Sequence, residues 1–395
     1  MLRIGIAGCG LQAATIAGYL GVYGDDYQTE AVLDTNFEHA KARIAEKNVR
    51  LSTNCRFHGR LEDFIADAKN LDGIIIGTPC SLHTDIACAL ESLGVPLYLE
   101  KPVSVTIEQL KKLHKTFKDS QTPVQVSLPM RVCPLADEAA AIIRSGKIGA
   151  VEQIAGYNDV TYGDVYFSTW FRDFAKTGGM FMQKAVHDID YMLYLAGSRP
   201  KEVCAMRAQR VFGGDKPWDL SCDKCGETET CPESPRNYFH ERGQFDSVAS
   251  ALKYRYGKRM CKFSKGIKID DVGECVIELE SGAHLNYHQN FFVRGAAHRR
   301  GARFYGYKGT LQIDFSGKIR VISHRRGVTE DIEVPSGQMS HYGGDQTLVH
   351  DFLQTMKTGK RARTDLITGD GIYSTLACLM ARESADRREF MKVEF

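Results

Sequence analysis

The stretch Gly8-Cys9-Gly10-Leu11-Gln12-Ala13 constrains the fold more than any other, because it directly follows the apolar run Leu2 to Ala7 and opens an amphipathic stretch. Small residues at Gly8, Gly10 and Ala13 let a backbone turn tightly from strand to helix and approach a pyrophosphate. The first N–H groups of the helix, around Leu11 and Gln12, and the helix dipole then stabilise that anion. A glycine turn with no ligand looks the same, so the motif needs support from residues further along the chain.

Up to residue 127, short apolar runs alternate with longer amphipathic ones, the pattern of repeated strand-helix units around a parallel sheet. Strands are predicted at Leu2 to Ala7, Glu30 to Asp34, Gly73 to Gly77, Pro96 to Leu99 and Val124 to Ser127, with a helix at Ser81 to Leu93. The chain is therefore α/β, with an N-terminal, doubly wound Rossmann sheet over residues 1–127. From 128 to 395 the texture changes to a helix at Leu135 to Ser145 and alternating runs at Val276 to Glu280 and His284 to Gln289, joined by Ser281-Gly282. These features predict an α+β domain with a large, mostly antiparallel, open-faced sheet. Helices are expected at Gln346 to Met356 and Gly371 to Ser384. Phe212 to Lys262 has little periodicity and reads as an insertion.

A length of 395 residues and an apolar fraction of 43% suit two such domains. The net charge of +2 supplies no field for a polyanion, so nucleic acid is not an expected partner. No apolar run reaches the roughly 20 residues needed to span a bilayer, and the first residues lack the zones of a signal peptide. A cytoplasmic protein without a membrane partner is expected.

The second predicted strand ends at Asp34. A carboxylate there accepts both adenosine ribose hydroxyls and repels a 2′-phosphate, and Thr35 and Asn36 come next rather than Arg or Lys. NAD is favoured over NADP, against the alternative of a solvated turn aspartate.

Further on, Gly77-Thr78-Pro79-Cys80-Ser81-Leu82-His83 leads to Leu99-Glu100-Lys101-Pro102. With these residues the sequence resembles the glucose-fructose oxidoreductase, inositol dehydrogenase and rhizopine-catabolism (Gfo/Idh/MocA) family. The resemblance runs on through Gly178-Gly179, His187-Asp188-Ile189-Asp190 and the closing helices. It implies an NAD-dependent oxidoreductase in which Thr78, Pro79, His83, Glu100 and Lys101 border the cofactor. Lys101 would lie near the reacting hydroxyl, with a cis peptide to Pro102. The implied substrate is a sugar, glycoside or cyclitol, and the implied assembly is a homodimer or homotetramer built through the open sheet face.

Oxidising a secondary alcohol requires a base and a stabiliser of developing alkoxide beside the hydride acceptor. Lys101, at the carboxyl edge of the sheet, suits that task. If residues 178–190 are helical, Gln183, Lys184 and His187 project from one face. Relatives usually carry Asp four residues before the His, whereas Gln183 stands there in this chain, and Gln cannot exchange a proton. Lys101 and His187 are thus the expected proton handlers, with Lys184 holding a hydroxyl or an anionic group. Asp188 and Asp190 fit an orienting role and a structural one equally. Tyr162 and Trp170 offer aromatic faces to a sugar ring, and Arg172 a fork for a carboxylate or sulfonate. His341, in His341-Tyr342-Gly343-Gly344-Asp345, resembles a pocket segment of some relatives and fits a helix-start turn equally well.

These residues are compatible with three functions. The first is a dehydrogenase that releases NADH. The second is a redox-assisted glycosidase in which transient oxidation permits elimination of the aglycone. The third is a nucleotide-sensing regulator without catalysis. Among the twelve cysteines, Cys222, Cys225 and Cys231 fall within ten positions, with His240 as a fourth candidate ligand. A structural zinc site and a set of reduced thiols remain equal alternatives.

Overall fold

A computed structural model describes residues 1–22, 27–234, 237, 259–335 and 340–395. Strands β1 (Leu2–Ala7), β2 (Tyr27–Leu33), β3 (Leu51–His58), β4 (Gly73–Ile76), β5 (Leu97–Leu99) and β6 (Val124–Val126) form a parallel sheet in the order β3-β2-β1-β4-β5-β6. This doubly wound order leaves a crevice at the carboxyl ends of β1 and β4, where the chain switches direction across the sheet. The unbroken apolar run Gly73-Ile74-Ile75-Ile76 is buried throughout, as a central strand covered on both faces requires. The helix Leu11–Val22 buries Ala13, Ala14, Ile16, Ala17 and Leu20 in a core shared with Ile4 and Ile6. Its close approach depends on Gly77, where a Cβ would stand 2.5 Å from that of Ala13.

The second sheet comprises β7 (Val151–Asp159), β8 (Pro200–Ala208), β9 (Val272–Leu279), β10 (His284–Asn290), β11 (Arg299–Gly306), β12 (Gly309–Asp314), β13 (Lys318–Ser323), β14 (Thr329–Glu333) and β15 (Met391–Lys392). Their order is β14-β13-β12-β11-β7-β10-β9-β8-β15, with β10 parallel to β7 and the other neighbours antiparallel. Buried Cys275, Ile277 and Leu279 alternate along β9 with exposed Glu274 and Val276, so one face is packed and the other open. The helices Pro134–Arg144, Val186–Ala196 and Gly371–Arg387 cover the packed face. Gly282, at φ +87°, makes the tight turn between β9 and β10.

Late segments of the chain return to the first sheet. Leu348, Val349, Phe352 and Leu353 of the helix Gly344–Thr358 share the core of Ile4, Ile6, Ile75 and Tyr98. Gln125 Nε2 donates to the Leu348 carbonyl at 2.7 Å, and β6 exchanges backbone hydrogen bonds with Thr364 and Leu366. Two local expectations change. β3 was not expected from its mixed sequence, and the single helix over Ser81 to Leu93 is a helix at His83–Leu90 between two tight turns. Among the described residues, no helix is long and apolar enough to cross a membrane.

Candidate active site

The glycine turn sits at the crevice. Gly8, at φ +82°, donates its N–H to Leu33 O at 2.7 Å, and a Cβ there would lie 2.6 Å from the Thr78 backbone. A Cβ on Gly10 would meet nothing nearer than the Gly77 carbonyl at 3.5 Å, so the space above it is open. Ala14 N–H bonds back to Gly10 O, which leaves the N–H groups of Leu11, Gln12 and Ala13 at the free end of the helix. Asp34 is fixed beside them. Its Oδ2 accepts Cys9 N–H at 2.9 Å and its Oδ1 accepts Asn36 N–H at 2.8 Å. Thr78 Oγ1 and Glu100 Oε1 are buried without hydrogen-bond partners. The open cradle, the fixed carboxylate and these two unpartnered oxygens fit a dinucleotide. Pro79 is exposed beside them. His83 departs from its expected role as a cofactor contact. Its Nδ1 lies 2.7 Å from Pro102 O and its Nε2 2.9 Å from Thr78 O, so both ring nitrogens are occupied within the protein. Burial pushes its pKa down to about 4 against the pull of those two carbonyls, to one of which the neutral ring donates.

Lys101 follows β5, and its peptide to Pro102 is cis. Its Nζ donates to the Gln183 main-chain carbonyl at 3.2 Å. Burial, followed by the positive charge of Lys184, holds its pKa below the usual lysine value. Burial pushes neighbouring Glu100 up to about 8 against the pull of Lys101, and Asp345 adds to the rise.

Gln183 and Lys184 lie in a wide π turn, Phe181–Ala185, that runs into the helix Val186–Ala196. π turns inside helices are frequent at functional sites. The expected shared face therefore loses Gln183 while Lys184 and His187 stay near each other. The Gln183 side chain is buried and donates to Thr177 O at 2.8 Å. Lys184 Nζ bonds to the Tyr162 hydroxyl and stands 4.6 Å from the centre of the Tyr162 ring. Burial opposes charge on Lys184, yet Tyr162 and Tyr166 hold its ammonium above the ordinary range; at Tyr162, which is 45% exposed, the pull of Lys184 and Arg300 outweighs desolvation and holds the hydroxyl below its own range.

His187 is buried, and its Nδ1 has no partner. Burial, then Lys101 and His341, drive its pKa well below the usual value, so the ring is neutral. The His341 ring lies 5.6 Å from it, and His341 Nδ1 lies 2.9 Å from both carboxylate oxygens of buried Asp345. His341 and Tyr342 hold left-handed backbone at φ 45° and 57°, strain of a kind that collects at functional sites.

Other expected residues lie elsewhere or serve the scaffold. Asp188 is fully buried and accepts from Arg300 Nε at 2.7 Å, Tyr287 Oη at 2.8 Å and Asn158 Nδ2 at 2.8 Å. Asp190 pairs with Arg131. Arg172 donates to the Trp218 and Cys261 carbonyls and lies 3.8 Å over the Trp218 ring, so it grips the insertion rather than an open pocket. Trp170 stacks on Phe171 at 4.2 Å. Asp345, Tyr166 and Arg300 were not anticipated. Of these, only Asp345 had a local signal, four residues beyond His341 at a helix start. In the insertion, Cys222, Cys225 and Cys231 line one cavity, while His240 lies outside the described residues. As they stand, no three or more His, Cys, Asp or Glu side chains among the described residues are arranged to hold a metal ion.

Residues 2–128 match a family model described as "Oxidoreductase family, NAD-binding Rossmann fold", and residues 137–312 match one described as "GFO/IDH/MocA C-terminal domain". The chain is 25% identical over 324 residues to a protein of Bacillus subtilis (strain 168) named "Putative oxidoreductase YteT", covering 74% of each. It is 29% identical over 150 residues to an inositol 2-dehydrogenase of Rhizobium meliloti (strain 1021), covering 38% of this chain and 44% of that one. The fold is shared with levoglucosan dehydrogenase in complex with NADH and levoglucosan, at a TM-score of 0.77 and 17% identity over 100% of both chains.

Proposed function

Because the chain belongs to the GFO/IDH/MocA oxidoreductase family, we propose that it is a cytoplasmic, NAD-dependent dehydrogenase that oxidises a ring hydroxyl of a sugar, glycoside or cyclitol. The observation that carries this reading is the grouping of Lys101, His187 and Lys184 next to the carboxyl edge of the first sheet, where the glycine cradle and Asp34 also lie. The names of relatives, inositol 2-dehydrogenase and levoglucosan dehydrogenase, favour a polyhydroxylated ring. Asp34 with no adjacent cation favours NAD. Twelve unpaired cysteines accord with a reducing compartment.

When bound, NAD would be held by Gly8, Gly10, Asp34 and Thr78 and would supply the hydride acceptor. Lys101, with its lowered pKa, takes the hydroxyl proton at Nζ as the C–H bond gives up hydride. Neutral His187 donates an N–H from its unpartnered Nδ1 to the reacting oxygen and fixes its direction, leaving the hydroxyl proton to Lys101. The Lys184 ammonium, kept charged by Tyr162, stabilises negative charge that develops on oxygen or grips a neighbouring hydroxyl. The open face of the second sheet, where Met206 and Val276 are 76% and 51% exposed, is the surface through which copies would assemble into a dimer or tetramer.

The test incubates the full-length protein with NAD and a panel of sugars, cyclitols and aryl glycosides, following NADH by absorbance and products by mass spectrometry. NADH should accumulate with a product two hydrogens lighter, and Lys101→Ala should abolish turnover while keeping NAD affinity. Full turnover in that variant would overturn the assignment. Phenol released from an aryl glycoside in heavy water without accumulating NADH would instead identify redox-assisted elimination.

A further inference from the structure

The insertion between β8 and β9 carries cysteines that the proposed reaction does not use. Cys222, Cys225 and Cys231 are close in sequence, and Cys261 comes thirty residues after Cys231, yet all four line one cavity. Backbone pairing brings the two segments together. Cys222 N–H donates to Arg259 O at 3.2 Å, Cys261 N–H donates to Leu220 O at 2.8 Å, and Ser221 pairs with Met260. All four are free thiols.

The local backbone turns around the first two thiols. Cys222 to Cys225 is a tight turn in which Cys225 N–H donates to Cys222 O at 3.4 Å. After Gly226 the chain folds back, and the Glu227 N–H donates to Cys225 Sγ at 3.4 Å. Within the insertion, Phe212, Ile267 and Ile269 join the third hydrophobic core and Phe263 packs against it, whereas the described residues of 213–262, which carry the cysteines, contribute no side chain to any core. Segments without a core of their own need another device to hold a shape, and metal ligation by four thiolates is one such device.

We propose that Cys222, Cys225, Cys231 and Cys261 bind a single structural zinc ion, with Cys261 taking the place that sequence spacing had offered to His240. Four S–H bonds give way to four Zn–S bonds of about 2.3 Å, and the displaced protons pass to solvent. Because the thiols surround the cavity without converging on a common point, binding contracts the turn. That contraction bears on the substrate side of the molecule. The Cys261 carbonyl accepts from Arg172, and Met260 N–H and Arg259 bond to Ser168, on the segment that follows Tyr162. The ion would thus brace the wall behind the Tyr162–Lys184 pair.

Zinc is measured by elemental analysis of the full-length protein purified without chelator, which keeps the test independent of any turnover assay. About one equivalent per chain is expected. His240→Ala, and Cys88→Ser in the helix His83–Leu90 of the first domain, should retain it, and Cys261→Ser should reduce it at least about tenfold. If Cys261→Ser fails to fold, cobalt is added to chelator-treated wild-type protein, and thiolate-to-cobalt charge-transfer bands should appear and be displaced by zinc. Metal-free protein that shows no such bands, or metal fully retained in folded Cys261→Ser, would overturn the proposal. So would loss of the metal in His240→Ala alone.

Discussion

Lys101 Nζ donates to the main-chain carbonyl of Gln183 at 3.2 Å, so the residue that departs from the family pattern holds the lysine through its backbone and not its side chain. Gln183→Ala keeps that carbonyl. Its kcat/KM should stay within about tenfold of wild type, whereas Lys101→Ala should lose about 10²- to 10⁴-fold. The missing bond to Thr177 O should appear in urea unfolding as a loss of about 1 kcal/mol. An equal collapse of turnover in both variants would move the catalytic weight to the glutamine side chain.

Lys184 should set the pH at which Lys101 works. Lys101 must be neutral to accept a proton, and burial and the Lys184 charge both favour its neutral form. The rate of oxidation should therefore rise with pH and level off below the ordinary lysine value of about 10.4. Removing the neighbouring cation in Lys184→Met lets Lys101 hold its proton longer, so the midpoint of kcat/KM against pH moves upward. A midpoint that stays in place would show that the two amines do not interact.

Asp34 should select the cofactor. Asp34→Ala removes a charged acceptor for ribose hydroxyls, which at about 1.5–3 kcal/mol corresponds to roughly 10- to 100-fold weaker NAD binding. NADP should bind relatively better in the variant, because the carboxylate no longer repels its 2′-phosphate. Titration calorimetry with both cofactors gives the ratio, and an unchanged ratio would place the ribose elsewhere.

Asp188 should behave as a scaffold residue. Truncating it to Ala leaves the Arg300 guanidinium buried without its carboxylate, at a cost of about 3–5 kcal/mol. Chemical denaturation should register that loss. Asp188→Asn, which retains hydrogen-bonding capacity, should recover part of it and keep the pH profile of wild type. A shifted profile in a stable Asn variant would return Asp188 to the proton chemistry.

The first sheet was legible because each central strand is an apolar run and each connection carries turn residues. β3 was not, since Leu51-Ser52-Thr53-Asn54-Cys55-Arg56-Phe57-His58 lies at the sheet edge and is largely exposed, with no burial to impose a pattern. The sequence neighbours of Lys101, His187 and Lys184 marked them as candidates, and the fold brings the three together. The π turn was not, because one added residue in a helical turn leaves composition unchanged while rotating Gln183 away from the expected face. Arg172 has the chemistry to bind an anionic substrate, and only packing against Trp218 reveals that its guanidinium is already engaged. Cys261 escaped for a similar reason, since it lies thirty or more positions beyond the thiols with which it lines a cavity.

The return of helix Gly344–Thr358 to the first sheet has a consequence for biosynthesis. During translation, the residues that pack against Leu348, Val349, Phe352 and Leu353 leave the ribosome early and wait for nearly the whole chain before their cover arrives. The nascent N-terminal half thus carries an uncovered apolar face through most of synthesis, which makes it a natural client for chaperones. A fragment cut at residue 127 would keep the glycine turn and Asp34 yet expose that same face, and would self-associate rather than serve as a freestanding nucleotide-binding module.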